Sequence, residues 1–171
     1  MIRSIDDAEQ MHARIRDAAD RTAAWLRNFD PTATPMELLS KLRFETVGHD
    51  PLTGDALNVV EQLNQSFTIM ASLRAVERLL QLHPDSGGFR LALGTSSGRD
   101  IESMRPGLAA AEVFSATHPQ SNRKLSKEIA RMARDSSLHR YVFFACPGWI
   151  SGRHENLEIP GIEVHVYATD L

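Results

Sequence analysis

An α/β fold, with a mixed sheet covered by helices, is what this sequence predicts. Three observations lead there. The N-terminal half repeats apolar residues at helical spacing, the chain shifts at Phe89 to strand-like alternation between glycine turns, and one helical segment interrupts the strands before Tyr141. The 171 residues suit one domain, with a helical extension over 1–45 and a core over 58–171.

The elements follow in order. Ile5, Ala8, Met11, Ile15, Ala18 and Ala19 predict a helix from Ile5 to about Asn28, with Ser4 as its cap and Asp6 and Asp7 in the first turn. Asp30 to Pro35 breaks it, a short helix starts near Met36, and 47–55 is turn-rich. A long helix is expected from about Asn58 to Leu82, with Val60, Leu63, Phe67, Met70, Leu73, Val76 and Leu80 as its buried face. Phe89–Leu93, Arg99–Met104 and Leu108–Thr117 read as a three-strand meander turning at Gly94–Gly98 and Pro106-Gly107. Ser121 or Asn122 is the expected cap of a helix reaching about Arg134, with Leu125, Ile129 and Met132 inward. The apolar run Tyr141–Cys146 suits a strand buried on both faces, and Ile162–Ala168 alternates as another.

Composition narrows the function classes. A net charge of −3 offers no global attraction to nucleic acid, so such binding needs a local basic patch. The single cysteine, Cys146, has no intrachain partner and reads as an inert core thiol; no CxxC or HExxH pattern accompanies it. No apolar run is long enough to span a bilayer and the first residues lack a secretory pattern, so a cytoplasmic location without membrane partners is expected. The seven histidines show no metal-ligand spacing, and Gly94–Gly98 lacks the Gly-Lys-Ser/Thr ending of a phosphate loop.

Two carboxylates stand out. Asp100 opens one expected strand and Glu112 lies inside the apolar run Leu108–Phe114 of the next, where an unpaired carboxylate would cost at least ~2–3 kcal/mol. Adjacent antiparallel strands bring such residues together, and paired carboxylates suit Mg²⁺ or Mn²⁺, which prefer hard oxygen ligands. Asp100 has a plainer alternative role bonding turn amides, and Glu102, on the same strand face, competes with it. In the following helix Arg123, Lys127, Arg131 and Arg134 are spaced to share one face, either for phosphate contacts or as a solvated surface.

In its order of elements and its acidic pair, the stretch from about Asn58 to Ala145 resembles the PD-(D/E)xK, or restriction-endonuclease-like, superfamily. That resemblance implies an α-β-β-β-α-β core, metal held by Asp100 and Glu112, and hydrolysis of DNA. It also implies a third metal ligand on the first core helix, for which Glu61 is the candidate. The family's lysine falls at position 114, which here is Phe114. Some members carry the basic residue on the next helix, where Lys124 and Lys127 are available. The rival reading keeps the fold without catalysis, as a module binding nucleic acid or protein, and self-association is open under either.

Overall fold

The computed structural model describes residues 1–92, 98–118 and 121–168, and is a mixed α/β structure of four helices, a six-stranded mixed sheet and a small two-stranded one. The backbone divides into two compact units, residues 9–67 and residues 1–8 with 68–171. None of the helices among the described residues is long and apolar enough to cross a membrane.

The 9–67 unit contains most of α1 (Ile5–Arg27), α2 (Pro35–Phe44), a hairpin of β1 (Gly48–His49) and β2 (Ala56–Leu57), and the start of α3 (Val59–Leu82). Helix α2 starts where Thr34 and Glu37 form a reciprocal capping box and Pro35 presets the first turn. A buried amide ties the other pieces together. Gln62 Oε1 accepts from Thr22 Oγ1 (2.6 Å) and His49 N (2.9 Å), while its Nε2 donates to Ala18 O (3.0 Å). A side chain at Gly48 would bring a Cβ to 2.6 Å from Gln62 Oε1, so this junction requires glycine.

The other unit is built on the large sheet. Strands β3 (Phe89–Leu91), β4 (Ile101–Ser103) and β5 (Ala109–Ser115) form the expected antiparallel meander. Helix α4 (Lys124–Met132) then crosses to β6 (His139–Ala145), which runs parallel to β5; β8 (Glu163–Tyr167) is parallel to β6, and β7 (Gly152–Arg153) closes the edge antiparallel to β8. Ala110, Phe114, Val142, Phe144, Val164 and Val166 pack with Met132 of α4, joined by Leu125 and Ile129. Tyr141, Phe143, His165 and Tyr167 line the opposite face in a series of ring contacts. The N-terminus is stitched to the sheet edge by reciprocal bonds between Ile2 and Phe89, both 2.8 Å.

Several expectations need correction. The meander strands and β8 are shorter than their expected runs, β6 starts two residues before Tyr141, and Leu93 and the Gly94–Ser97 part of the expected turn lie outside the described residues. Strand β7 has no apolar pattern to announce it. Helix α3 departs in part from its expected register: Leu73 and Val76 are buried as expected, but Val60, Leu63 and Phe67 are exposed, and Val59, Ile69 and Leu79 are buried. The cause lies in polar residues that look solvent-facing but find partners inside. Gln62 serves as the buried junction, and Ser72 bonds back to Thr68 O at 2.9 Å. Accordingly Leu79→Ala should lower unfolding free energy by about 2–5 kcal/mol and Leu63→Ala by less than about 0.5 kcal/mol in urea denaturation. The reverse order would restore the register read from periodicity.

Candidate functional site

The site is built from the start of β4, the middle of β5 and helix α4. Ile101 faces Ala111 and Glu102 faces Ala110 in the antiparallel register. One step further along the same register sets Asp100 against Glu112, on the sheet face that α4 covers. Their carboxyl groups share a hydrogen bond. Asp100 Oδ2 also accepts from Val113 N at 2.8 Å, so its plainer role of bonding an amide holds in part, with the amide of the neighbouring strand.

Glu112 is 1% exposed. Its pKa is pushed up to about 8, first by burial and then by the Asp100 charge and shared hydrogen bond, with Arg131 pulling the other way. Arg131 Nη1 donates to Glu112 Oε2 at 2.9 Å, and Nη2 to Gly98 O at 2.5 Å. Thus Arg131, read from sequence as a phosphate contact, is engaged by the buried acid.

The rest of the basic stripe is dispersed. Helix α4 ends at Met132, so Arg134 lies beyond it, and Arg123 is the residue before its first turn. Lys127 is exposed on the helix. The expected Ser121 or Asn122 cap does not form: Arg123 occupies the N-cap with no side-chain cap bond. Asn122 and Arg123 have φ of 53° and 54°, a left-handed pair that costs roughly 1–2 kcal/mol per residue. Such strain persists where the surroundings over-determine it, and here it delivers Lys124 into the first turn of α4.

Lys124 Nζ lies 2.5 Å from Glu128 Oε1, and Glu128 Oε2 lies 3.7 Å from Arg131. Glu128 is buried and went unnoticed in the sequence, although Leu125, Glu128, Ile129 and Met132 fall at the i, i+3, i+4, i+7 positions of the inward stripe. Lys124, Glu128, Arg131 and Glu112 therefore form one chain of alternating basic and acidic groups, which ends on the acid pair of Glu112 and Asp100. Glu102, the competitor of Asp100, is held by Arg90 and by Arg99 Nη1 at 2.6 Å. Arg99 also pairs with Asp135.

The remaining candidates have surroundings of their own. Glu61 is an exposed first-turn residue of α3 in the 9–67 unit, with its backbone N bonded to Asn58 Oδ1 at 2.9 Å. Strand β5 ends at Ser115, two residues before the Thr117 expected from sequence. Phe114 stacks on Phe144 with centroids 5.2 Å apart. Cys146 is buried with its thiol pKa raised by burial, as an inert core thiol should be. Among the described residues no three His, Cys, Asp or Glu side chains converge as a metal-holding group. No protein-family model, curated protein or solved structure matches the chain.

The raised pKa of Glu112 has a signed consequence. The folded state keeps this proton up to about pH 8, whereas the unfolded chain releases it near 4.5, so stability falls as pH rises between those values. In metal-free buffer, Glu112→Gln should melt higher relative to wild type at pH 8.5 than at pH 5, by roughly 5 °C or more. A difference independent of pH would show that Glu112 is ionised in the fold throughout.

Proposed function

We propose that the chain is a metal-dependent phosphodiesterase acting on DNA, with a restriction-endonuclease-like core running from α3 to β6. The observation that carries this reading is the pairing of Asp100 with a buried Glu112 across β4 and β5, beneath a helix that supplies Lys124 and Arg131. The order of elements from α3 through the meander and α4 to β6 supports it as well.

The residues present fit a small divalent cation. Two hard-oxygen side chains share one hydrogen bond at a buried position, and the higher charge of Mg²⁺ or Mn²⁺ would compensate both carboxylates where a proton compensates one. Asp100 and Glu112 would hold the ion, which when bound would lower the pKa of an attacking water and stabilise charge on the phosphoryl oxygens. The chain's own groups supply the remainder. Bonding to Val113 N fixes the Asp100 carboxylate, and the apolar surroundings of Glu112 strengthen electrostatics by excluding water. Lys124, paired with Glu128, would stand in for the lysine missing at Phe114. Arg131 would leave Glu112 for the phosphate as the ion enters.

One observation favours a second reading, a non-catalytic module binding nucleic acid or protein: the lysine position is filled by a core aromatic stacked on Phe144. The two readings part on one experiment. Supercoiled plasmid and single-stranded DNA incubated with Mg²⁺ or Mn²⁺ should be nicked, and Glu112→Ala and Asp100→Asn should each lower the rate by about 100-fold or more without loss of folded signal. Lys124→Ala should lower kcat more than it weakens DNA affinity. Absence of both divalent-ion binding by calorimetry and cleavage would leave the module reading in possession.

A further inference from the structure

We infer that the cavity at the starts of β6 and β8 binds a small organic anion, an apolar body carrying a carboxylate or a phosphate. The inference is independent of the Asp100–Glu112 reading. The cavity measures about 450 Å³, within the range of small-molecule sites. Arg140 lines it, and its Nε is buried with no hydrogen-bond partner among the described residues. A buried guanidinium N–H left unpaired costs about 1–3 kcal/mol, a penalty that an oxyanion ligand removes.

The neighbouring charges sharpen the case. Glu158 and Glu163 also line the cavity, yet both are claimed by Arg153. Its Nε and Nη2 grip Glu158 at 2.7 and 2.8 Å, and its Nη1 lies 3.3 Å from Glu163. Glu158 Oε1 further accepts from Val164 N, and His165 Nε2 lies 3.3 Å from Glu163. Both carboxylates are thus held by Arg153, and Arg140 lines the same cavity without an ion pair among the described residues. Its planar fork of donors matches the spacing of carboxylate and phosphate oxygens.

Backbone geometry makes room for that fork. Gly161 has φ +80°, and a Cβ there would run into the Arg140 guanidinium. The rim supplies apolar surface: Leu138 is 72% and Ile159 41% exposed, with Pro160 beside them. Exposed apolar side chains around an unpaired cation suit an anion with a hydrocarbon body better than a bare inorganic ion.

The test follows the Arg140 Nε–H resonance by ¹H–¹⁵N NMR, assigned through its loss in Arg140→Gln. The probes are phenyl phosphate, benzoate and inorganic phosphate. Phenyl phosphate or benzoate should shift the resonance saturably and bind about tenfold or more tightly than inorganic phosphate, and the better of the two identifies the head group. Arg140→Gln, and separately Gly161→Ala, should each weaken binding about tenfold or more, while Glu112→Gln leaves it unchanged. Should either substitution unfold the chain, Arg140→Lys is the replacement: it keeps the charge, lacks the fork, and should also weaken binding. No saturable shift up to about 10 mM of either organic probe, or equal binding by the Arg140 and Gly161 variants, would overturn the inference.

Discussion

A carboxyl group buried in the middle of a strand paired on both sides is the constraint on which the rest of this sheet's helical face depends. Strand β5 is antiparallel to β4 and parallel to β6, so Glu112 cannot rotate toward solvent without breaking two ladders. Its neighbours on the same face, Ala110 and Phe114, are core residues. The acid must therefore find partners from outside its own strand. Asp100 comes from the end of β4, and Arg131 from the last turn of α4. Because Arg131 also holds Gly98 O, one guanidinium fixes the helix, the strand and the chain leading into β4 together.

That arrangement is electrostatically dear, which bears on its purpose. Arg131 is half exposed, so solvent screens part of its attraction, while Glu112 bears nearly full desolvation. An alanine or valine at position 112 would complete the apolar run at no such cost. Buried ionisable groups are weak contributors to stability, and groups whose proton affinity is shifted by burial plus a like charge cluster where chemistry is done. The bonds around Glu102 and Asp135 lack this character. They join part-exposed arginines to carboxylates and read as structural ties at the edge of the same face.

Much of the fold was legible because its signals are local. Glycine turns and alternation mark the meander, and the unbroken apolar run before Cys146 marks the central parallel strand. The departure at the start of α3 was hidden, because amphipathic periodicity scores Gln62 as surface, and only the packed chain reveals that its amide finds buried partners. At the site, Asp100 and Glu112 were readable from strand register alone. Glu128 was missed for the same reason as Gln62: a charged residue on an apolar stripe looks like noise until its neighbours Lys124 and Arg131 are seen to enclose it. The bond from Arg131 to Glu112 was not foreseen, because spacing along a helix tells which residues share a face and says nothing of what that face meets.

The identity of residue 114 follows from the same packing. Its side chain points from β5 into the space beneath α4, where it stacks on Phe144 and meets the helix's apolar stripe. A lysine there would bury an ammonium among Met132, Val142 and Val166, with Glu112 already committed to Arg131 and Asp100. A cation carried on α4 avoids that penalty, since a helical lysine can lay its stem along apolar surface and keep its charge near water. Lys124 is placed in this way, part-exposed and anchored by a buried Glu128. The left-handed Asn122 and Arg123 steer the chain into the helix so that this residue begins it. The strand thereby keeps its aromatic packing at 114, while the lysine of α4 holds its charge near water on an element that can bear it.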